Sequence, residues 1–321
     1  MLYLSFVFGQ TQGGYGIIAA AVSTHQPLRA VSTARHPSDS GPLVSLRLWL
    51  AGSPWRPSGG WLTLAGLLAA AGPQLDQRPW LAMALALALA EAFWGALWWQ
   101  LVPAQDWPLH STARRPALPY IQPASPAGRL LGWQRPGAAA AITRAGAPLA
   151  GLALLLALAI SPLAVVLTGA VILLALLGMA ARQAGLTGLV GWLYALVFAA
   201  LPLALGVAVG LGGQWPPAPQ GAWLLALALG YSLLARALAP DAQPPAGRGL
   251  ARLLTAAAGF GLVTVTLLGS GLLLAGGAVG LLAAAPLLIL ARADGPPPAA
   301  AQPWALAAVL VSAAALGFGI G

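Results

Sequence analysis

Apolar runs of about twenty residues recur along most of this 321-residue chain, and they constrain its fold more than any other feature. A run of about that length lets an α-helix cross the ~30 Å hydrocarbon layer of a bilayer. The segments predicted to be membrane-spanning helices are 57–72, 79–102, 138–160, 162–181, 186–212, 221–239, 250–269, 271–291 and 303–320. The sequence therefore predicts an all-α polytopic membrane protein with a bundle of about nine transmembrane helices.

The composition agrees with that class and excludes others. Hydrophobic residues make up 59% of the chain and charged residues 7%, against roughly 25% charged in an average soluble domain. So few polar groups cannot cover a soluble protein, which excludes a soluble enzyme and, despite the net charge of +9, a nucleic-acid partner. The chain has no cysteine, which excludes disulfides and cysteine-ligated metals.

The arginines predict the orientation of the bundle. We expect residues 1–42 to form a cytoplasmic or surface segment and residues 43–321 to form one transmembrane helical domain. With the N-terminus inside, all of the fifteen arginines except Arg78 fall on cytoplasmic segments. Cytoplasmic loops of membrane proteins carry such an excess of positive charge. The sequence therefore predicts a cytoplasmic N-terminus and an external C-terminus, as in a protein of a bacterial inner membrane.

Two features of the second predicted helix are candidates for function. Glu91 is an acid in the middle of a span, where an ionisable group is a functional-site hypothesis by default; the alternative is a hydrogen-bonded carboxyl that bridges two helices. Trp94, Trp98 and Trp99 cluster near the end of the same helix. They predict either an interfacial aromatic belt or a flat apolar wall for a ring-bearing ligand such as a quinone or a porphyrin-type pigment.

Two long polar connections, at about 103–137 and 240–249, follow the second and sixth predicted helices on the cytoplasmic side. The first contains Arg115-Pro116 and Gly128-Arg129, and the second lies within ARALAPDAQPPAGRGLARLL. This layout resembles the UbiA family of intramembrane prenyltransferases, which includes chlorophyll synthases and quinone-pathway prenyltransferases. The resemblance implies a helical bundle with a cavity for a ring that carries a long apolar tail.

In that family, aspartate-rich motifs in both loops hold the Mg²⁺ ions that bind a prenyl diphosphate. Here the two loops offer Asp106 and Asp241. If Asp106 takes the last acid position of the first motif, then Trp98, Trp99 and Val102 take the others. The resemblance therefore implies a degenerate diphosphate site: no metal site is predicted, and Mg²⁺ with Asp106 and Asp241 would serve catalysis only in an active enzyme.

We therefore expect a non-catalytic, prenyltransferase-like pseudoenzyme. It would bind a quinone, a carotenoid, a chlorophyll-type pigment or a lipid, or act as a structural subunit of a photosynthetic or respiratory complex. The alternatives are an active Mg²⁺-dependent prenyltransferase with an aromatic or chlorophyllide acceptor, and a transporter. The arginines expected to bind a ligand or lipid headgroups at one cytoplasmic mouth are Arg114, Arg115, Arg129, Arg236 and Arg248.

Overall fold

The computed structural model describes residues 2–11, 14–24, 44–50, 57–77, 79–102, 142, 146–214, 216–238, 248–292 and 299–320. The backbone forms a three-stranded antiparallel sheet of β1 (Leu2–Thr11), β2 (Gly14–Thr24) and β3 (Val44–Leu50), in the order β2-β1-β3. The sequence analysis did not predict these strands. It assigned Val44–Leu50 to the helical domain, although VSLRLWL alternates in the period-2 pattern of a strand.

The described residues from 57 onward form helices and the turns between them. The helices are α1 (Gly59–Ala71), α2 (Trp80–Leu101), α3 (Ala147–Ile160), α4 (Pro162–Gln183), α5 (Thr187–Gly210), α6 (Ala218–Ala237), α7 (Arg248–Gly269), α8 (Leu273–Ala291) and α9 (Gln302–Ile320). Short 3-10 segments follow α1 (Gly72–Gln77) and precede α9 (Ala299–Ala301). The predicted helical character of this part of the chain is thus confirmed.

Within the described ranges, seven helices are long and apolar enough to cross a membrane, which indicates an integral membrane protein. Of the other two, α1 has 13 residues and is shorter than predicted, and the described part of α3 has 14. At 1.5 Å per residue, α1 measures about 20 Å, too little to cross a layer of ~30 Å by itself. It is short because Pro57 precedes its N-cap Ser58 and because Gly72, with φ +47°, ends it before Pro73.

One end of the bundle carries the arginines of the described helices. Short turns reverse the chain between α4 and α5, α5 and α6, and α7 and α8. Helices α6 and α7 are in close contact where Gly230 meets Gly259. Because successive helices run in opposite directions, five arginines lie at the same end of the bundle: Arg182, Arg236, Arg248, Arg252 and Arg292. We call it the arginine end; the opposite end carries Asp76, in the 3-10 segment after α1.

Helix α5 lies at the centre of the bundle. The apolar stretch of α5 is 78% buried, whereas those of the other six long helices are 28–44% buried. Its side chains contribute to two hydrophobic cores. One core joins α1 to α6, α7, α8 and α9 through residues such as Leu203 and Val207. The other joins α2, α3 and α4 through residues such as Val197 and Phe198.

Glycines allow α1 to lie directly against α5 and α9. A Cβ atom on Gly66 would overlap the carbonyl oxygen of Leu203, and one on Gly206 would overlap that of Thr63. At the C-terminal end of α1, a Cβ atom on Gly72 would likewise overlap the carbonyl oxygen of Gly317 on α9. Small residues are common where membrane helices approach each other closely. Helix α1 is therefore held between two other helices by contacts between backbones.

Candidate functional site

Helix α1 begins inside the bundle rather than at its surface. It runs parallel to α5, because Gly206 of α5 meets Thr63 and Leu67, and Gly210 meets Ala70. Its C-terminal end reaches the end of α9 at Gly317, which lies opposite the arginine end. Its N-terminus lies near the mid-length of the 22-residue α2, because Gly59 meets the backbone of Ala90 there.

Glu91 meets the start of α1 at this depth. Glu91 is near the middle of α2 and half-buried, and its Oε2 accepts a hydrogen bond of 2.8 Å from the backbone N–H of Gly60. The first N–H groups of a helix have no partner within the helix, and they form its positive end. The N-cap Ser58 is buried and makes no side-chain capping bond. The carboxyl group of a distant helix thus takes part in capping α1.

Two irregular helical segments surround this position. Residues Leu89–Trp94 of α2 and Leu196–Ala200 of α5 have π-helical hydrogen bonding, and both segments contact α1. A Cβ atom on Gly59 would lie 2.5 Å from the carbonyl oxygen of Ala90, so the backbones of α1 and α2 touch there. Such π segments occur frequently at functional sites. The start of α1, Glu91 and the two π segments form what we call the mid-bundle site.

Trp94 lies in the core beside this site. Its side chain is completely buried, and its Nε1–H donates a hydrogen bond of 3.2 Å to Oγ1 of Thr168 on α4. The Thr168 hydroxyl donates in turn to the carbonyl oxygen of Ala164, at 2.8 Å. A buried indole normally finds such a partner. Trp94 is predicted as part of an interfacial belt or a ligand wall. The structure places it in the core, in a contact between α2 and α4.

Trp98 and Trp99 belong to a group of four rings with Tyr194 and Phe198 of α5, which we call the aromatic cluster. Tyr194 and Phe198 are stacked with centroids 4.5 Å apart, and both tryptophans lie 6.0–6.4 Å from them. Trp98 is 2% exposed and packs against Gly178 of α4, whereas Trp99 is half-buried. The sequence analysis missed Tyr194 and Phe198, although their i,i+4 spacing on α5 was a signal.

The predicted arginine mouth is only partly described. The Arg236 guanidinium lies over the Trp192 ring, with its Cζ 4.0 Å from the ring centroid. Arg248 is the first residue of α7. Arg252, which the sequence analysis did not single out, is buried on α7. Arg114, Arg115 and Arg129 lie outside the described residues, so the predicted convergence of the five arginines stays a prediction. Asp106 and Asp241 lie outside them as well.

Among the described residues, no group of three or more His, Asp or Glu side chains could hold a metal ion. Comparison with known proteins gives no match to a family model, a curated protein or a solved structure. The resemblance to the UbiA family therefore rests on the sequence features given above.

Proposed function

We propose that this chain is a non-catalytic, prenyltransferase-like integral membrane protein that acts as a ligand-binding or structural subunit of a membrane assembly. In this proposal nine segments cross a bacterial inner membrane, with the N-terminus inside and the C-terminus outside. The arginine end then faces the cytoplasm, in agreement with the positive-inside rule. In this proposal α1, with 13 residues, forms the external part of the first crossing.

The observation that carries the proposal is the hydrogen bond between Glu91 and Gly60. A carboxyl inside a membrane domain usually marks a proton or ion pathway. Here it accepts a hydrogen bond from the first turn of a helix that cannot cross the layer on its own, and so it has a clear structural task. This favours a structural role for Glu91 over transport.

The aromatic cluster supports the ligand-binding part of the proposal. Its four rings join α2 to α5 near the C-terminal end of α2, where the predicted 103–137 loop begins. Part of the Trp99 surface is exposed. The exposed part of the Trp99 ring suits contact with the head group of a quinone or a pigment, since aromatic pairs prefer stacked or edge-to-face contacts at 4.5–7 Å. The other three rings are buried, and Tyr194 and Phe198 pack against Trp99. The surrounding helices offer apolar surface for an isoprenoid tail.

Substitution of Glu91 tests the structural role. Glu91→Gln keeps an oxygen that accepts the Gly60 hydrogen bond, whereas Glu91→Leu removes it. Because bonds to charged groups contribute about 1.5–3 kcal/mol, we expect Glu91→Leu to lower the free energy of unfolding in detergent by that amount. Glu91→Gln should lose less than half as much. The control is Ala88→Leu, at an exposed position of the same helix; equal stability of Glu91→Leu and this control would contradict the structural role.

The ligand-binding role is tested on protein purified from its native membrane. We expect mass spectrometry to find a bound isoprenoid quinone, carotenoid or tailed pigment, or stable partner subunits. We also expect no product from geranylgeranyl diphosphate, Mg²⁺ and an aromatic or chlorophyllide acceptor. Turnover that Asp106→Ala or Asp241→Ala abolishes would instead establish the prenyltransferase alternative.

A further inference from the structure

Arg236 and Trp192 lie on the outer surface of the bundle, in the groove between α5 and α6. Trp192 is 40% exposed, and its neighbours at helical spacing on α5, Leu189 and Leu196, are exposed as well. On α6, the exposed Leu229 lies seven residues before Arg236 and therefore on the same face. The groove thus has an apolar lining, and a guanidinium group stands at its arginine end.

The contact between the two side chains places the guanidinium over the Trp192 ring. The Cζ of Arg236 is 4.0 Å from the centroid of the Trp192 ring, which is the distance of a cation–π contact. Stacking on an aromatic ring uses the flat face of a guanidinium, whereas its N–H groups point outward along the edge. An edge held in this way matches two oxygens of a phosphate group, which arginine binds in a bidentate manner.

The charge distribution indicates what kind of molecule would fill this groove. The five arginines of the described helices lie at this end of the bundle. The acids of the described residues are elsewhere: Asp76 is at the opposite end and Glu91 is at mid-depth. A positive surface beside a bilayer attracts anionic headgroups, and tryptophan is enriched at the level of those headgroups.

We propose that the groove between α5 and α6 is a binding site for an anionic phospholipid. Arg236 holds the phosphate, Trp192 keeps the guanidinium in place, and one acyl chain lies along Leu196 and Leu229. The site is on the lipid-facing surface, and it does not depend on the ligand-binding role proposed for the aromatic cluster.

The proposal is tested by titrating the purified protein with phosphatidylglycerol or phosphatidylcholine and counting bound lipids by native mass spectrometry. We expect the wild-type protein to prefer phosphatidylglycerol. In Arg236→Gln the dissociation constant for phosphatidylglycerol should rise about tenfold or more, as expected for the loss of a charge-assisted hydrogen bond. Arg236→Lys, which keeps the charge but loses the planar fork, and Trp192→Leu should give smaller increases. Binding of phosphatidylcholine, in which the choline cation offsets the charge of the phosphate, should change less.

Arg182→Gln is the matched control, because Arg182 is also in the last turn of a helix at the arginine end. We expect it to bind phosphatidylglycerol within about twofold of the wild type, since a surface charge outside a site has little effect on affinity. An equal loss in Arg182→Gln would overturn the proposal, because it would show nonspecific attraction. Unchanged binding in folded Arg236→Gln would overturn it too. So would displacement of the lipid by millimolar inorganic phosphate, which would identify a site for the free anion.

Discussion

The contact between α1 and α5 predicts a large effect for a single methyl group. In Gly206→Ala, the added Cβ would overlap the carbonyl oxygen of Thr63 and lie 2.8 Å from the backbone nitrogen of Leu67. An ordinary contact of this kind needs at least 3.4 Å. Both neighbours are backbone atoms, so no side-chain rotation can relieve the overlap. The whole of α1 has to move away from α5.

Helix α1 has little room for that movement. On its other side, Gly72 meets the backbone of α9 at Gly317, and at its start Gly60 is bonded to Glu91. A shift of α1 would compress the contact with Gly317 or lengthen the hydrogen bond to Glu91. Overpacking of this kind costs about 1–3 kcal/mol, and we expect Gly206→Ala to lower the free energy of unfolding by that amount.

The matched control is Gly280→Ala on α8, where the added methyl group would have nothing within 4 Å. We expect that change to stay within about 0.5 kcal/mol of the wild type. Unfolding can be followed in mixed micelles by adding dodecyl sulfate and recording the fluorescence of the 13 tryptophans. The double variant Gly66→Ala/Gly206→Ala should lose less than the sum of the single losses, because both changes strain one contact. Equal midpoints for Gly206→Ala and Gly280→Ala would refute the reasoning.

Two further predictions concern α6 and the orientation of the bundle. Tyr231→Phe removes a hydroxyl group that lies 2.6 Å from Oγ of Ser312 and donates to the carbonyl oxygen of Val309 at 3.1 Å. We expect the same unfolding assay to show a loss of about 0.6 kcal/mol and at most ~1.7 kcal/mol, the average and the maximum for hydrogen bonds between membrane helices; no loss would contradict it. The chain has no cysteine, so a single introduced cysteine reports on its own position. A membrane-impermeant thiol reagent added outside intact cells should label Ser270→Cys and leave Arg182→Cys unlabelled. The reverse labelling would contradict the proposed orientation.

The long helices could be predicted from the sequence because length and hydrophobicity are local properties. Residues 79–102 and 186–212 were predicted as spans, and the structure has helices at Trp80–Leu101 and Thr187–Gly210. The first predicted span, 57–72, was also helical, but its depth depends on partners far away in the chain. Gly206 is the residue that sets this depth, and nothing near Gly66 in sequence indicates that contact.

The candidate site was harder to predict for the same reason. The sequence predicts Glu91 as an acid within a helix, with a hydrogen-bonded carboxyl that bridges two helices as the alternative, and the structure shows its hydrogen bond to Gly60 of α1. Its partner was beyond prediction, because Gly60 is 31 residues away and contributes only a backbone N–H group. Trp94 was considered for a belt or a ligand wall because spacing reveals which residues share a face. Spacing does not reveal that Thr168, 74 residues later, provides a hydrogen-bond acceptor in the core.

The position of α1 also has a consequence for the order of assembly during synthesis. Two of the helices that hold it by backbone contacts, α5 and α9, follow it by more than a hundred residues and leave the ribosome later. A 13-residue helix is too short to be stable across the bilayer while it waits, since a spanning helix needs about 20 residues. Helix α1 must therefore stay at the membrane surface or against α2 until its neighbours are inserted. A chain truncated before Gln302 would lack Gly317 and with it the contact at Gly72, so α1 reaches its final place only after α9 has been made.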